Sequence, residues 1–152
     1  MLLNDFLEKD LVDIRHEPAK DWRDALRQSG AKLIEHQYIK KEYLDEIILN
    51  VEKNGPYIVI VPGVAMPHAL AESTNVLGTA ISFTKFPEPV VFDQDNPDSQ
   101  AQLFFTLAAK DPDQHLKNIS DLSDLLMTDG LIDKLLAVDS VADFKAIVDG
   151  MS

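Results

Sequence analysis

Tyr57-Ile58-Val59-Ile60-Val61-Pro62-Gly63-Val64-Ala65-Met66-Pro67-His68-Ala69-Leu70 is the stretch whose reading decides the fold. Its first five residues are β-branched or aromatic without a break, which reads as a strand buried on both faces. Pro62-Gly63 is expected to stop that strand, because Pro removes a ladder donor and Gly permits backbone angles that other residues avoid. A short apolar span follows, and Pro67-His68 closes it. One imidazole is thereby expected just past the carboxyl end of an interior strand, on a loop stiffened by two prolines. In open α/β sheets that edge gathers ligand and reaction sites. Taken alone, the run is read equally well as carrying a half-buried loop histidine bonded to a carbonyl.

Outward from this stretch, the pattern alternates helices and strands. Leu2, Leu3, Phe6 and Leu7 suit a short helical turn within residues 1–10, and 11–15 can form a strand ending at a surface His16. A helix opens at Asp21, a capping residue, with Trp22, Ala25, Leu26, Ser29, Leu33 and Ile34 on one face. Gly30 inside it costs about 1 kcal/mol against Ala, so it is expected to mark a close packing contact. His36 falls near that helix's C-terminus, where capping or solvation accounts for it. A second helix is predicted over 38–51, broken by Asn54-Gly55-Pro56. Strands are expected over 77–86 and 101–108, with a short one at 90–92 between them. Asp93, Asp95 and Asp98 in that connection lack the Gly and Glu positions of an EF-hand and read as a solvated turn. The last third is helical: Asp113 is expected to cap a helix containing His115 and Leu116, Gly130 to end it, and Ser140 to cap a final helix with Val141, Phe144, Ile147 and Val148 inward. Strands flanked by helices at both ends suggest a three-layer α/β/α sandwich in one domain over residues 1–152.

Composition narrows the chemistry. The chain has 14 basic and 26 acidic residues, a net charge of −12, which argues against nucleic acid or an anionic membrane as partner and suits a basic protein surface. There is no cysteine, hence no disulfide, thiolate metal site or cysteine nucleophile. The acidic N-terminus does not fit a signal peptide and no apolar run approaches the ~20 residues that span a bilayer, so a cytoplasmic protein without direct membrane insertion is expected. No nucleotide loop, nucleophile elbow or H-E-x-x-H motif is present, and nothing nominates a third zinc ligand beside His68 and His115. No cofactor and no metal are therefore expected.

His115 raises the weight of His68. It follows the apolar run 103–107 through the turn Lys110-Asp111-Pro112-Asp113, so it too leaves a strand near its carboxyl end, provided the two strands are parallel. It falls in the first turn of a helix, where free N–H groups and the dipole favour an anion. Two imidazoles and a helix N-terminus at one sheet edge make a phosphoryl-handling site: a neutral imidazole is the nucleophile, and the second imidazole and main-chain N–H groups meet the phosphoryl oxygens. Two unrelated histidines remain compatible with the spacing.

The residues also carry a resemblance. Gly55-Pro56-Tyr57 through Val61, followed by Pro62-Gly63-Val64-Ala65-Met66-Pro67-His68-Ala69, resembles the active-site signature of IIA proteins of the mannitol/fructose class of the bacterial sugar phosphotransferase system, and most resembles its ascorbate-type branch. Asp113-Gln114-His115-Leu116 is similar to the segment holding that family's second active-site histidine. The resemblance covers nearly the whole chain. It implies a mixed, mostly parallel sheet of about five strands flanked by helices. It implies that His68 accepts a phosphoryl group from the phosphocarrier protein HPr and passes it to a cysteine of a cognate IIB domain, and through it to a membrane IIC transporter, while His115 assists. Two positions depart from the pattern. Mannitol and fructose members carry an Arg just upstream, where this chain has Glu52 beside Lys53, and ascorbate-type members often carry Arg where this chain has Leu70. Val64, Met66 and Leu70 are candidates for an apolar docking contact. A relay component and a regulatory module read through its phosphorylation state both use His68; a stand-alone IIA domain favours the relay.

Overall fold

Neighbouring phenylalanines set the layers. Leu103, Phe105 and Leu107 pack into one hydrophobic layer and Phe104 and Ala108 into another, all fully buried, because successive strand side chains face opposite ways. Each fully buried Phe or Leu contributes about 1.5–3 kcal/mol, so this one strand anchors both layers. The structure, a computed structural model, describes residues 2–69 and 73–151. Its elements are α1 (Leu2–Glu8), β1 (Val12–Ile14), α2 (Trp22–Ser29), α3 (Ala31–Glu35), α4 (Lys41–Asn54), β2 (Val59–Val61), β3 (Gly63–Ala65), β4 (Ala80–Val91), β5 (Gln100–Ala108), α5 (Pro112–Leu126), α6 (Leu131–Leu136) and α7 (Val141–Met151). Helices α2, α3 and α4 cover one face of the sheet, with Leu26, Leu33 and Ile47 against Phe104 and Phe86. Helices α1, α5, α6 and α7 cover the other, with Phe6, Leu122, Leu135 and Phe144 against Phe83 and Phe105. The three layers are those expected. No helix among the described residues is long and apolar enough to cross a membrane.

The five strands lie in the order β1-β4-β5-β3-β2. Pairs β1–β4 and β3–β5 are parallel, β4–β5 and β2–β3 antiparallel. The sheet is mixed, as expected, but evenly so rather than mostly parallel. The two hairpins account for this: β4 and β5 join through the turn after Val91, and β2 and β3 through Pro62-Gly63.

That second hairpin corrects the reading of the 57–61 run. Its strand covers only 59–61 and lies at the sheet edge, with Ile60 44% and Val61 43% exposed. Pro62-Gly63 does not end the strand in a loop; Gly63, at φ 97°, reverses it. The interior strand is the short apolar span that follows, β3, where Val64 and Ala65 are fully buried. A β-branched run favours extended backbone anywhere in a sheet, so it does not distinguish an edge from a centre.

Other boundaries shift for local reasons. Asp21 caps α2 as expected, its side chain accepting the Asp24 N–H at 2.8 Å, and Trp22 stacks under Arg23 at 4.2 Å. The helix then breaks at Gly30. The carbonyl of buried Ser29 accepts hydroxyls of Ser82, Thr84 and Thr106 at 3.1–3.4 Å, which turns it toward the sheet. A side chain at Gly30 would place its Cβ 2.5 Å from Leu44 Cδ2, so the close contact expected there is present. The next helix starts at Lys41 rather than 38, because Tyr38-Ile39 is paired with the 76–78 segment: Ile39 bridges Val76, and the Tyr38 carbonyl accepts the N–H groups of Leu77 and Gly78. The 77–86 and 90–92 strands are joined as β4 through an irregularity between Lys85 and Val90. Ser140 caps the last helix, its Oγ accepting the Asp143 N–H at 3.2 Å, but Val141 points outward and is 49% exposed.

Candidate active site

Parallel pairing of β3 with β5 brings their carboxyl ends together, and the chain leaving each end carries a histidine. His68 follows β3 by three residues and His115 lies in the first turns of α5. Their ring centroids are 5.4 Å apart with the planes tilted 50°. Both rings are half-buried.

The local bonds of His68 define which nitrogen carries the proton. Its Nδ1 lies 2.6 Å from the Met66 carbonyl. A carbonyl only accepts, so Nδ1 carries the proton and the Nε2 lone pair is left for chemistry. Burial pushes the His68 imidazole below its usual pKa, opposed by the bond to Met66 and reinforced by the neighbouring His115. Burial also holds His115 low. Both rings are thus favoured in the neutral form, the one in which imidazole is a nucleophile. In a 15N NMR titration His68 should show the Nδ1–H tautomer at neutral pH and a midpoint below 6.5, its ordinary value. Its lone pair is then lost only as pH falls through that lowered midpoint. A midpoint above 6.5 would contradict the environment described here.

The main chain around His68 is held from three directions. Met66 N–H donates to the Ile58 carbonyl at 2.8 Å, and the Leu107 N–H of β5 donates to the Pro67 carbonyl at 2.9 Å. The Tyr57 hydroxyl donates to the His68 carbonyl at 2.5 Å, while the Tyr57 ring meets the His68 ring edge-on, 5.4 Å between centroids. The Tyr43 hydroxyl, from α4, donates to the Leu107 carbonyl at 2.7 Å and accepts the Ala69 N–H at 3.3 Å. Burial pushes both phenols up to about 12, so each stays protonated and able to donate near neutral pH. Farther along, Glu46 of α4 accepts Ser73 Oγ at 2.5 Å and Asn75 Nδ2 at 2.9 Å.

His115 is placed by the start of α5. The cap is Asp111 rather than Asp113: its Oδ1 accepts the Gln114 N–H at 2.8 Å, and its carbonyl accepts the His115 N–H at 3.1 Å. Pro112 at the first helical position has no N–H to offer. The anion-binding N–H groups expected at this helix start are therefore largely engaged, which leaves the imidazole of His115 as the group that α5 presents to His68. The turn is tied down through Thr79, which accepts the Lys110 N–H at 3.2 Å and donates to Gln114, and through Asn118 Nδ2, 3.4 Å from the Ala108 carbonyl.

Across residues 5–150 the sequence matches the family described as "Phosphoenolpyruvate-dependent sugar phosphotransferase system, EIIA 2". The chain belongs to this EIIA family. It is 34% identical over 148 residues to a mannitol-specific cryptic phosphotransferase enzyme IIA component of Escherichia coli K12, covering 97% of this chain and 98% of that one. It is 28% identical over 150 residues to the ascorbate-specific phosphotransferase EIIA component of the same strain, covering 98% and 96%. The solution structure of the E. coli mannitol-specific cryptic enzyme IIA superposes with a TM-score of 0.81 at 33% identity, covering 97% of this chain and 98% of that one.

As an EIIA family member the chain is a phosphotransferase component with an α/β fold, and its other singled-out residues fall away from the histidine pair. Glu52 is on α4, bound to Arg23 at 3.0 Å, and Lys53 is exposed beside it. Val64 and Met66 do not form a docking contact: both are buried in the layer under α5, and Leu70 lies outside the described residues. Leu116, an apolar residue of the predicted helix, is 66% exposed next to His115. His16 Nε2 lies 2.8 Å from the Asp139 carbonyl, and His36 lies 3.0 Å from Asp10 at the end of α3. Among the described residues the one group of three metal-type ligands is Asp10, Glu35 and His36, where Lys32 also reaches Asp10 at 3.4 Å. Tyr43 and Tyr57 are the site residues that sequence reasoning missed. Tyr43 sits in an apolar helical stripe and reads as core; Tyr57 sits inside the signature run, where only its strand propensity is legible.

Proposed function

We propose that this EIIA protein relays phosphoryl groups through His68, taking them from phosphorylated HPr and passing them to a cysteine of a cognate IIB domain. The observation that carries the reading is the paired arrangement at the carboxyl ends of β3 and β5, with Nδ1 of His68 committed to a carbonyl and the Nε2 lone pair left unprotonated. In the first step the Nε2 lone pair forms a bond to phosphorus as the bond from phosphorus to the donor's histidine breaks. The positive charge left on the ring is balanced by the phosphoryl group. In the second step a IIB thiolate displaces Nε2, which regains its lone pair. His115 donates a hydrogen bond to the equatorial oxygens as charge shifts across them.

A net charge of −12 favours encounter with a basic donor. The transported compound is selected by the membrane partner, which we infer is an ascorbate-type transporter. The deciding experiment mixes phosphorylated HPr, this protein and purified IIB domains of the ascorbate and mannitol types. Label should pass to a IIB cysteine only when this protein is present, and faster to the ascorbate-type domain. Stable labelling of this protein with no onward transfer to either IIB would instead mark a regulatory module.

A further inference from the structure

Tyr57 touches His68 twice, by hydroxyl and by ring, and among the described residues no other side chain does so. The hydroxyl holds the His68 carbonyl at 2.5 Å and the ring lies edge-on to the imidazole at 5.4 Å. The imidazole's own tether is local, from Nδ1 to a carbonyl only two residues back, at 2.6 Å. Such a tether fixes the ring relative to its own backbone, which the Pro67 carbonyl ties to β5 through the Leu107 N–H at 2.9 Å, but it leaves the peptide after His68 to be held from elsewhere. The direction of Nε2 therefore depends on where the 68–69 peptide is held. That peptide is gripped on one side by Tyr57 and on the other by Tyr43, whose hydroxyl takes the Ala69 N–H.

We propose that Tyr57 is a positioning residue for the phosphoryl transfer: its hydroxyl fixes the His68 peptide so that Nδ1–H stays on the Met66 carbonyl and the imidazole stays in register with the His115 ring. The proposal rests on the relay reading for its kinetic consequence but not for its structural one. Protonated phenol is the species required, and burial of Tyr57 secures it across the neutral range. Without the hydroxyl the peptide rotates, the Nδ1 bond is made only part of the time, and the proton redistributes between the two ring nitrogens. A ring that is aimed only part of the time lowers the rate of the chemical step without weakening the encounter with the donor, because positioning acts on the bound complex.

Tyr57→Phe keeps the edge-on ring and removes only the hydroxyl. In the unphosphorylated variant, 15N NMR should show His68 as a mixture of tautomers where the wild-type chain shows Nδ1–H. With phosphorylated HPr, the saturating single-turnover rate should fall about tenfold while the half-saturating donor concentration changes less than about twofold. An unchanged tautomer, or a wild-type saturating rate, overturns the proposal. A variant that fails to fold overturns it as well, since the hydroxyl would then hold the fold rather than aim the ring. A wild-type protein that accepts no phosphoryl group sinks the relay reading instead, and the tautomer measurement still decides the role of Tyr57.

Discussion

Replacing His68 with Ala is expected to abolish labelling by phosphorylated HPr and leave the fold intact. The lost bond between Nδ1 and the Met66 carbonyl is worth about 1 kcal/mol, small beside the stability of a domain of this size. The ring is half-buried, and the two hydrophobic layers lie behind it, so circular dichroism and the melting transition should change little. The chemical effect is of a different order. His115 is the other imidazole of the site, and His16 and His36 are engaged elsewhere, with the Asp139 carbonyl and with Asp10. Acid-labile phosphate should therefore be absent from the variant after incubations that saturate the wild-type chain. Full labelling of His68→Ala would refute the assignment of the nucleophile. Labelling confined to His115 would reverse the two roles.

His115→Ala should give a different phenotype: His68 still becomes phosphorylated, but onward transfer to IIB slows about a hundredfold, or about 3 kcal/mol at the transition state. The engaged helix start sharpens this expectation. Pro112 offers no N–H, and the N–H groups of Gln114 and His115 are bonded to Asp111, so backbone donors of α5 are poorly placed to substitute for the lost imidazole. Gln at position 115 keeps a side-chain N–H and should recover part of the rate, whereas Ala should not. Rapid-quench measurement of transfer from phosphorylated protein to IIB checks both variants. Wild-type transfer by His115→Ala would mean that two rings 5.4 Å apart do not act together.

Most of the corrections share one cause. The Tyr57–Val61 run was expected in the sheet interior on its apolar character, yet its strand lies at the edge, and its Pro-Gly serves as a hairpin turn. Hydrophobicity and β-branching act over a few residues, whereas edge or interior position depends on which distant strand pairs alongside. The same limit explains Leu116 and Val141, apolar residues at helical spacing whose helices turn them outward. Asp111 is a different case, because its cause is local. Asp111 and Asp113 both suit a cap, and the Pro between them at the first helical turn selects the earlier one.

What the sequence determined by itself was whatever local chemistry can encode: helix and strand segments, the Asp21 and Ser140 caps, the contact at Gly30, and a histidine delivered after Pro67 in a family-specific run. Only the tertiary structure decided that β3 and β5 run parallel as neighbours, and with that, that His68 and His115 share one edge. It alone decided that the Tyr57 and Tyr43 hydroxyls reach the 68–69 peptide from β2's approach and from α4. The two histidines are 47 residues apart in the chain and Tyr43 lies 26 residues from Ala69. Contacts across such separations form only when whole layers pack, because the entropy of closing so long a loop is offset by burial of the entire sheet and not by the contact itself.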